Sequence, residues 1–117
     1  MKTHHGKCHC GAIRFSFDAD EINKAIRCNC SMCSRKGSVL TAFTVPPANM
    51  SIQAGPGAQQ TYQFGTMTAR HHFCGSCGVH TFVETRLKPG HFRVNLACVD
   101  GVAVYDLPET IFDGKSL

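Results

Sequence analysis

Seven of the eight cysteines fall into three short clusters whose spacings are typical of metal ligands. The clusters are Cys8 with Cys10, then Cys28 with Cys30 and Cys33, then Cys74 with Cys77. Zinc prefers four ligands, so the two pairs together can close one site, whereas the cluster of three leaves one position open. A closed site stabilises a fold, and an open site can bind and activate a ligand. The sequence therefore predicts one structural and one catalytic metal site.

Each of the two cysteine pairs is followed by a glycine, Gly11 or Gly78. Glycine can adopt positive φ, which lets backbone N–H groups approach the thiolates. We predict one structural Zn²⁺ on Cys8, Cys10, Cys74 and Cys77. That ion would join the start of the chain to its middle and stabilise a small domain. Buried free cysteines would not explain the spacing, and the usual spacings of iron–sulfur ligands are absent.

The cluster of three predicts the working site. Three thiolates make a soft site that favours a fourth thiolate, which indicates a thiol substrate held in deprotonated form. Such a sulfur could add to an electrophile such as an aldehyde. We therefore predict a catalytic Zn²⁺ on Cys28, Cys30 and Cys33. Weak occupancy, or a fourth ligand from the protein, are the alternatives.

Two cations follow the cluster of three directly, Arg35 and Lys36. They are candidates for binding the carboxylates of a thiol cofactor such as glutathione. A solvated turn would carry the same residues, so the pattern leaves both interpretations open.

The eighth cysteine and three histidines are less informative. Cys98 lies in an apolar segment and is predicted to be a small buried residue. His71 and His72 would point to opposite faces of an extended segment, so at most one of them would face the site. They and His80 are candidates for a general base or a fourth ligand, against a surface or hydrogen-bonded role.

The overall composition predicts a single domain over residues 1–117. The chain has no apolar run of about 18 residues and no apolar stretch of a signal peptide, so we expect no membrane contact. We expect a reducing compartment, the cytoplasm, with free thiols rather than disulfides. The oligomeric state is not predicted by any pattern.

The formal charge of +4 does not predict a nucleic-acid partner. Seven thiolates would remove seven charges and two zinc ions would restore four, which leaves +1. Apart from Arg35 and Lys36, the cations are scattered, and no basic stripe with interleaved aromatic residues is present.

Alternation of apolar and polar residues predicts a mostly β fold. Strands are predicted at residues 13–17, 39–45, 61–64, 80–85, 92–98 and 102–105. One helical turn is predicted at residues 31–36, ended by Gly37. The polar N-terminus with His4 and His5 is predicted to be a disordered start.

Three segments resemble the glutathione-dependent formaldehyde-activating enzyme family. The segments are 8–15 (CHCGAIRF), 28–37 (CNCSMCSRKG) and 73–78 (FCGSCG). The resemblance implies a β-tent of short antiparallel sheets, a structural zinc on the two pairs and a catalytic zinc on the cluster of three. It also implies carbon–sulfur lyase or synthase activity, which joins glutathione to formaldehyde to give S-hydroxymethylglutathione, or the reverse.

Within the family, other segments are most similar to the centromere protein V branch. These are residues 61–64 (TYQF), 77–79 (CGV) and 98–100 (CVD). That branch is associated with chromosome and microtubule interaction, and this chain is shorter than the classical enzymes. The alternative hypothesis is therefore a non-catalytic zinc-binding module that interacts with a macromolecule. Zinc chemistry on an unrelated small molecule and metal sensing are further alternatives.

Overall fold

Short strands make up most of the regular structure in the computed structural model, which describes all 117 residues. The strands are β1 (Lys2–Lys7), β2 (Ile13–Ala19), β3 (Ala25–Cys28), β4 (Leu40–Thr41), β5 (Met50–Ala54), β6 (Gln59–Tyr62), β7 (Arg70–Cys74), β8 (His80–Glu84), β9 (Phe92–Val94) and β10 (Glu109–Phe112). There is one α-helix, α1 (Ser31–Lys36), and there are 3₁₀ turns at Pro47–Asn49, Leu96–Cys98, Val104–Asp106 and Gly114–Ser116. The predicted mostly β fold class is confirmed. None of the helices has the length and apolar character needed to cross a membrane.

The strands form three small sheets with the orders β1-β2-β5, β10-β3-β4 and β6-β7-β8-β9. All neighbours are antiparallel except β10 and β3, which run parallel with Phe112 beside Cys28. The family resemblance implies short antiparallel sheets. Two of the three sheets are fully antiparallel, and the third contains one parallel pair. The parallel pair matters because it carries the residues after β10 to the cluster of three cysteines.

Strand β2 has the buried and exposed faces that its alternation of apolar and polar residues predicts. Ile13, Phe15 and Phe17 are buried, and the residues between them face outward or are partly exposed. The ring of Phe15 meets Phe82 edge-on at 5.5 Å, and Phe82 meets Phe92 in the same way at 5.5 Å. Such edge-to-face contacts are favourable for aromatic pairs. The core thus lies between the first sheet and the four-stranded sheet.

The predicted disordered start is wrong, because residues 2–7 form β1. The strand pairs with β2 over six residues, from Lys2 opposite Ala19 to Lys7 opposite Arg14. The ring of His4 is buried and stacks on Phe17 at 5.0 Å. A polar segment can therefore form a regular strand when its neighbour supplies the apolar face.

Three predicted strands are shorter than expected or absent. Residues 39–45 give only the two-residue β4, and residues 92–98 give β9 followed by a 3₁₀ turn. The side chain of Asn95 starts that turn by accepting a hydrogen bond from the N–H of Ala97. Residues 102–105 form no strand, since the chain enters a 3₁₀ turn at Val104. In contrast, α1 ends at Gly37 in the left-handed region (φ 68°), as predicted.

Substitution of Gly6 by alanine is expected to destabilise the fold. A Cβ atom at this position would lie 2.5 Å from Phe15 Cζ and 2.7 Å from the carbonyl oxygen of Cys98. Overpacking of this kind costs about 1–3 kcal/mol of unfolding free energy. Urea denaturation of Gly6→Ala should show that loss, whereas Gly55→Ala, whose Cβ would meet nothing within 4 Å, should not. Equal midpoints for the two variants would contradict the prediction.

Candidate functional site

The two cysteine pairs meet in space, as their spacing predicted. The ligand atoms of this group lie within 4.8 Å of one another, and the group consists of Cys8, Cys10, Cys74 and Cys77. The sulfur of Cys10 is 3.8 Å from that of Cys8 and 3.6 Å from that of Cys74. Cys8 follows β1, and Cys74 ends β7. A metal ion held here would therefore connect two different sheets.

Backbone N–H groups surround the sulfurs of this group. Cys74 Sγ accepts from the N–H groups of Ser76 and Cys77 at 3.3 and 3.4 Å. Hydrogen bonds from the N–H of Cys77 lower the pKa of Cys74, and those from Cys10 and Val79 lower the pKa of Cys77 to about 6. The thiolate, which is the metal-binding form, is thus favoured in the turn. The glycines that follow each pair have positive φ, which permits these tight turns.

The second group contains Cys28, Cys30 and Cys33, whose ligand atoms also lie within 4.8 Å of one another. Cys28 ends β3, and Cys30 caps α1 by accepting a hydrogen bond from the N–H of Cys33 at 3.3 Å. Burial raises the pKa of Cys28 and of Cys33. Burial is the largest single influence on Cys30 and acts to raise its pKa, but the hydrogen bonds from Cys33, Cys28 and Met32 together outweigh it and lower that pKa. No fourth His, Cys, Asp or Glu belongs to the group, so one position of a tetrahedral ion would be free.

A segment near the end of the chain packs over this second group. Asn29 Nδ2 donates to Asp113 Oδ1 at 3.0 Å, and Asn29 Oδ1 accepts from the N–H of Lys115 at 2.8 Å. Ser116 Oγ donates to the other oxygen of Asp113 at 2.7 Å. These bonds hold Gly114 directly against Cys28. We call residues 113–116 the C-terminal clasp; no pattern in the sequence indicated it.

A cavity of about 530 Å³ opens beside the three cysteines, and all three line it. Its lining includes four cationic side chains and no Asp or Glu side chain. The cations are Arg86, Lys88, Arg93 and Lys115. Arg93 is fixed by donation to the carbonyl of Thr41 at 2.8 Å and by its position over the ring of Phe112. The cavity is therefore suited to a small anionic molecule.

Arg35 and Lys36, the predicted contacts of a thiol cofactor, do not line this cavity. The guanidinium of Arg35 donates back to the carbonyl of Ser31 at 2.9 Å. The ammonium of Lys36 instead contacts His71 Nδ1 at 2.8 Å and His80 Nε2 at 3.0 Å. A cofactor-binding role for these two residues stays a prediction, and the four cavity cations are stronger candidates by position.

The three candidate histidines have different surroundings. Only His71 lines the cavity of the cysteines. His72 faces the other way, where its Nε2 lies 2.6 Å from Glu84 and its Nδ1 lies 2.9 Å from Thr61 Oγ1. The predicted opposite orientation of His71 and His72 is therefore observed.

Cys98 belongs to neither cysteine group. It is half-buried, its Sγ donates to the carbonyl of His80 at 3.6 Å, and burial raises its pKa to about 11. A neutral thiol packed against the core agrees with the predicted structural role.

Comparisons with known proteins cover almost the whole chain. A family model described as glutathione-dependent formaldehyde-activating enzyme matches residues 3–112, a range that includes both cysteine groups. The crystal structure of a Rhodobacter sphaeroides protein is 35% identical to this chain and superposes with a TM-score of 0.80. That similarity covers 91% of this chain and 99% of the other.

Proposed function

Since the chain belongs to the glutathione-dependent formaldehyde-activating enzyme family, we propose that it is a zinc-dependent carbon–sulfur lyase or synthase acting on the adduct of a glutathione-like thiol and an aldehyde. The observation that carries the proposal is the three-cysteine group, which has a free ligand position and opens into a cationic cavity. In the synthetic direction the product would be the hemithioacetal of the thiol and the aldehyde, which for formaldehyde is the S-hydroxymethyl derivative of the thiol. A cytoplasmic location remains part of the proposal, because the substrate is an intracellular type of thiol.

The donor sets fit zinc. Thiolates are soft ligands that zinc binds in tetrahedral sites of three or four cysteines. We assign a structural Zn²⁺ to the four-cysteine group and a catalytic Zn²⁺ to Cys28, Cys30 and Cys33. The catalytic ion would supply a Lewis acid that lowers the pKa of a thiol at its free position. The protein residues supply the remaining functions, which are to bind the substrate, orient it and receive its carboxylates.

The cations of the cavity fit a thiol with two carboxylates, such as glutathione. Arg93 is partly buried and held by Thr41 and Phe112, so it offers a fixed guanidinium to one carboxylate. Lys115 lies next to Gly114 in the C-terminal clasp and would bind as a more mobile point charge. Burial lowers the pKa of Arg93, while the charge of Cys28 opposes that change. No observation of comparable weight favours the alternative, a non-catalytic module that binds a macromolecule.

We expect Lys115→Met to weaken glutathione binding roughly 5- to 30-fold in isothermal titration of the zinc-loaded protein. Lys115 is exposed, so we assign its charge-assisted hydrogen bond to the ligand a value at the low end of the usual range, about 1–2 kcal/mol. Lys24→Met is the matched control, because Lys24 is exposed and does not line the cavity. S-methylglutathione should bind much more weakly than glutathione, since its sulfur cannot be deprotonated.

Two results would reject the proposed function. One is the absence of detectable glutathione binding at millimolar concentration to wild-type protein carrying two zinc ions. The other is equal binding of glutathione and S-methylglutathione, which would mean that the sulfur does not reach the metal.

A further inference from the structure

A hydrogen-bonded chain of four side chains lies behind the three-cysteine group. Ser38 Oγ lies 2.9 Å from His80 Nδ1, and Lys36 Nζ lies 3.0 Å from His80 Nε2 and 2.8 Å from His71 Nδ1. Lys36 is one helical turn after Cys33 on α1. No ion pair joins it to a carboxylate, and the charges that act on its pKa are those of Cys33, Cys30 and Cys28 when these are thiolates. Burial lowers the pKa of Lys36, and those thiolates oppose the change.

The ammonium fixes the protons on both imidazoles. An ammonium has three donors and no acceptor, so His71 Nδ1 and His80 Nε2 must both accept. Each neutral ring then carries its proton on the other nitrogen, which is Nε2 in His71 and Nδ1 in His80. The latter donates to Ser38. Burial, followed by the charge of Lys36, lowers the pKa of His71 to about 4 and that of His80 to about 2, which keeps both rings neutral.

The Nε2 atom of His71 is available to a ligand. His71 lines the cavity of the three cysteines, and its ring stacks on Phe64 with the centroids 5.7 Å apart. Only two fully buried polar side-chain atoms lack a hydrogen-bond partner, Gln59 Oε1 and His91 Nδ1. His71 Nε2 also has no partner within the protein. Since it is not among the fully buried atoms, it must be accessible to solvent, and the cavity is the space that His71 lines. His80, Lys36 and Ser38 line a second cavity instead.

We propose that His71 is a further catalytic residue, whose Nε2–H donates a hydrogen bond to the oxygen atom of the aldehyde and of its thiol adduct. Lys36 is the positioning residue, because its hydrogen bond to Nδ1 keeps the proton of His71 on Nε2. His80, which is hydrogen-bonded to Ser38, fixes the position of the Lys36 ammonium. This inference rests on the proposed function and assigns a second role in the same site. An ammonium that donates to Nδ1 also withdraws electron density from the ring, so Nε2–H becomes a stronger donor.

The reaction balances without any other reagent. In the synthetic direction a carbon–sulfur bond forms, the π bond of the carbonyl breaks, and its electron pair moves to the oxygen. His71 Nε2–H stabilises that developing negative charge. The thiol loses one proton when it binds, and the oxygen of the adduct finally takes up one proton through water in the cavity. The number of protons is therefore the same before and after the reaction. In the cleavage direction the same donor stabilises the oxygen as the carbon–sulfur bond breaks.

Nitrogen-15 NMR of the histidine side chains tests the arrangement without any turnover. In the zinc-loaded wild type at pH 7, His71 should be a neutral ring protonated on Nε2, assigned by its disappearance in His71→Gln. Lys36→Met should remove the preference for this tautomer. A charged His71, or one protonated on Nδ1 in the wild type, would overturn the proposal.

Kinetics then test the catalytic role. His71→Phe should slow adduct exchange about 100-fold, as expected for loss of one donor to a developing oxyanion, with glutathione binding unchanged. His71→Gln keeps an N–H donor and should recover part of the rate. If the phenylalanine variant folds poorly, the rate of the glutamine variant still tests the role of His71. His5→Gln, at an exposed position in β1, is the control.

The two levels of failure are distinguishable. Wild-type protein that binds no thiol would overturn the proposed function and this role with it. Normal thiol binding with unchanged exchange in both His71 variants would overturn the role of His71 alone.

Discussion

Substitution of Cys77 by serine will unfold most of the domain, because it removes one ligand from the four-cysteine group. Binding of a structural zinc contributes about 10–16 kcal/mol, which is comparable to the whole stability of a small domain, about 5–15 kcal/mol. Cys8 and Cys74 are fully buried within the core, so loss of the ion would also leave two buried sulfur atoms there without their metal partner. Circular dichroism and the dispersion of amide signals in the NMR spectrum would measure the loss.

Cys30→Ser is the informative comparison. The ligands of the three-cysteine group lie within six consecutive residues, so an ion there connects no distant parts of the chain. This variant should stay folded and contain one zinc ion fewer per chain by elemental analysis. Cys98→Ser, which alters a thiol outside both groups, should keep the fold and both ions. Equal unfolding of Cys77→Ser and Cys30→Ser would contradict the division into a structural and a catalytic site.

The grouping of the seven cysteines could be predicted because ligand spacing is a local property of the sequence. Two residues on a short turn must present both sulfurs to one side, whatever the rest of the chain does. Zinc prefers four ligands, so the two pairs were predicted to share one ion and the cluster of three to bind another. The structure brings together the same two groups of cysteines. Strand β2 was predictable for a similar reason, since its alternation reports directly which face is buried.

The surroundings of the three-cysteine group could not be predicted, because they depend on distant pairing. Strand β10 pairs with β3 across about 85 residues, and it is largely exposed, so it has no clear apolar pattern. The bond between Asn29 and Asp113 follows from that pairing. Strand β1 was missed for a related reason, since its polar composition shows no alternation.

The cations show how adjacency in sequence can mislead. Arg35 and Lys36 follow Cys33 closely, but neither lines the cavity. Arg35 donates a hydrogen bond to the carbonyl of Ser31, and Lys36 is hydrogen-bonded to His71 and His80. The cations that do line the cavity come from three separate segments of the chain, which are the turn between β8 and β9, strand β9 itself and the residues after β10. Only the folded chain places those segments around one space.

Substitution of Gly114 by alanine will selectively weaken metal binding at the three-cysteine group. A Cβ atom there would lie 2.5 Å from Cys28 Sγ and 3.4 Å from Cys30 Cβ. Either the sulfur moves off its ligand position or the C-terminal clasp opens and loses its bonds to Asn29. Disturbing groups that orient metal ligands typically costs 10–100-fold in affinity, and we expect a loss of about that size. Competition with a chromophoric chelator would measure it.

The four-cysteine group provides an internal reference for this experiment, because it lies apart from Gly114 and should keep its ion. Gly55→Ala is the matched control, since neither glycine has positive φ and a Cβ at Gly55 would meet nothing within 4 Å. The steric contact with Cys28 is therefore the difference between the two variants. If Gly114→Ala kept wild-type affinity at both groups, the clasp would not press on the cysteine site. If both groups lost their ions, the clasp would stabilise the whole fold rather than this site.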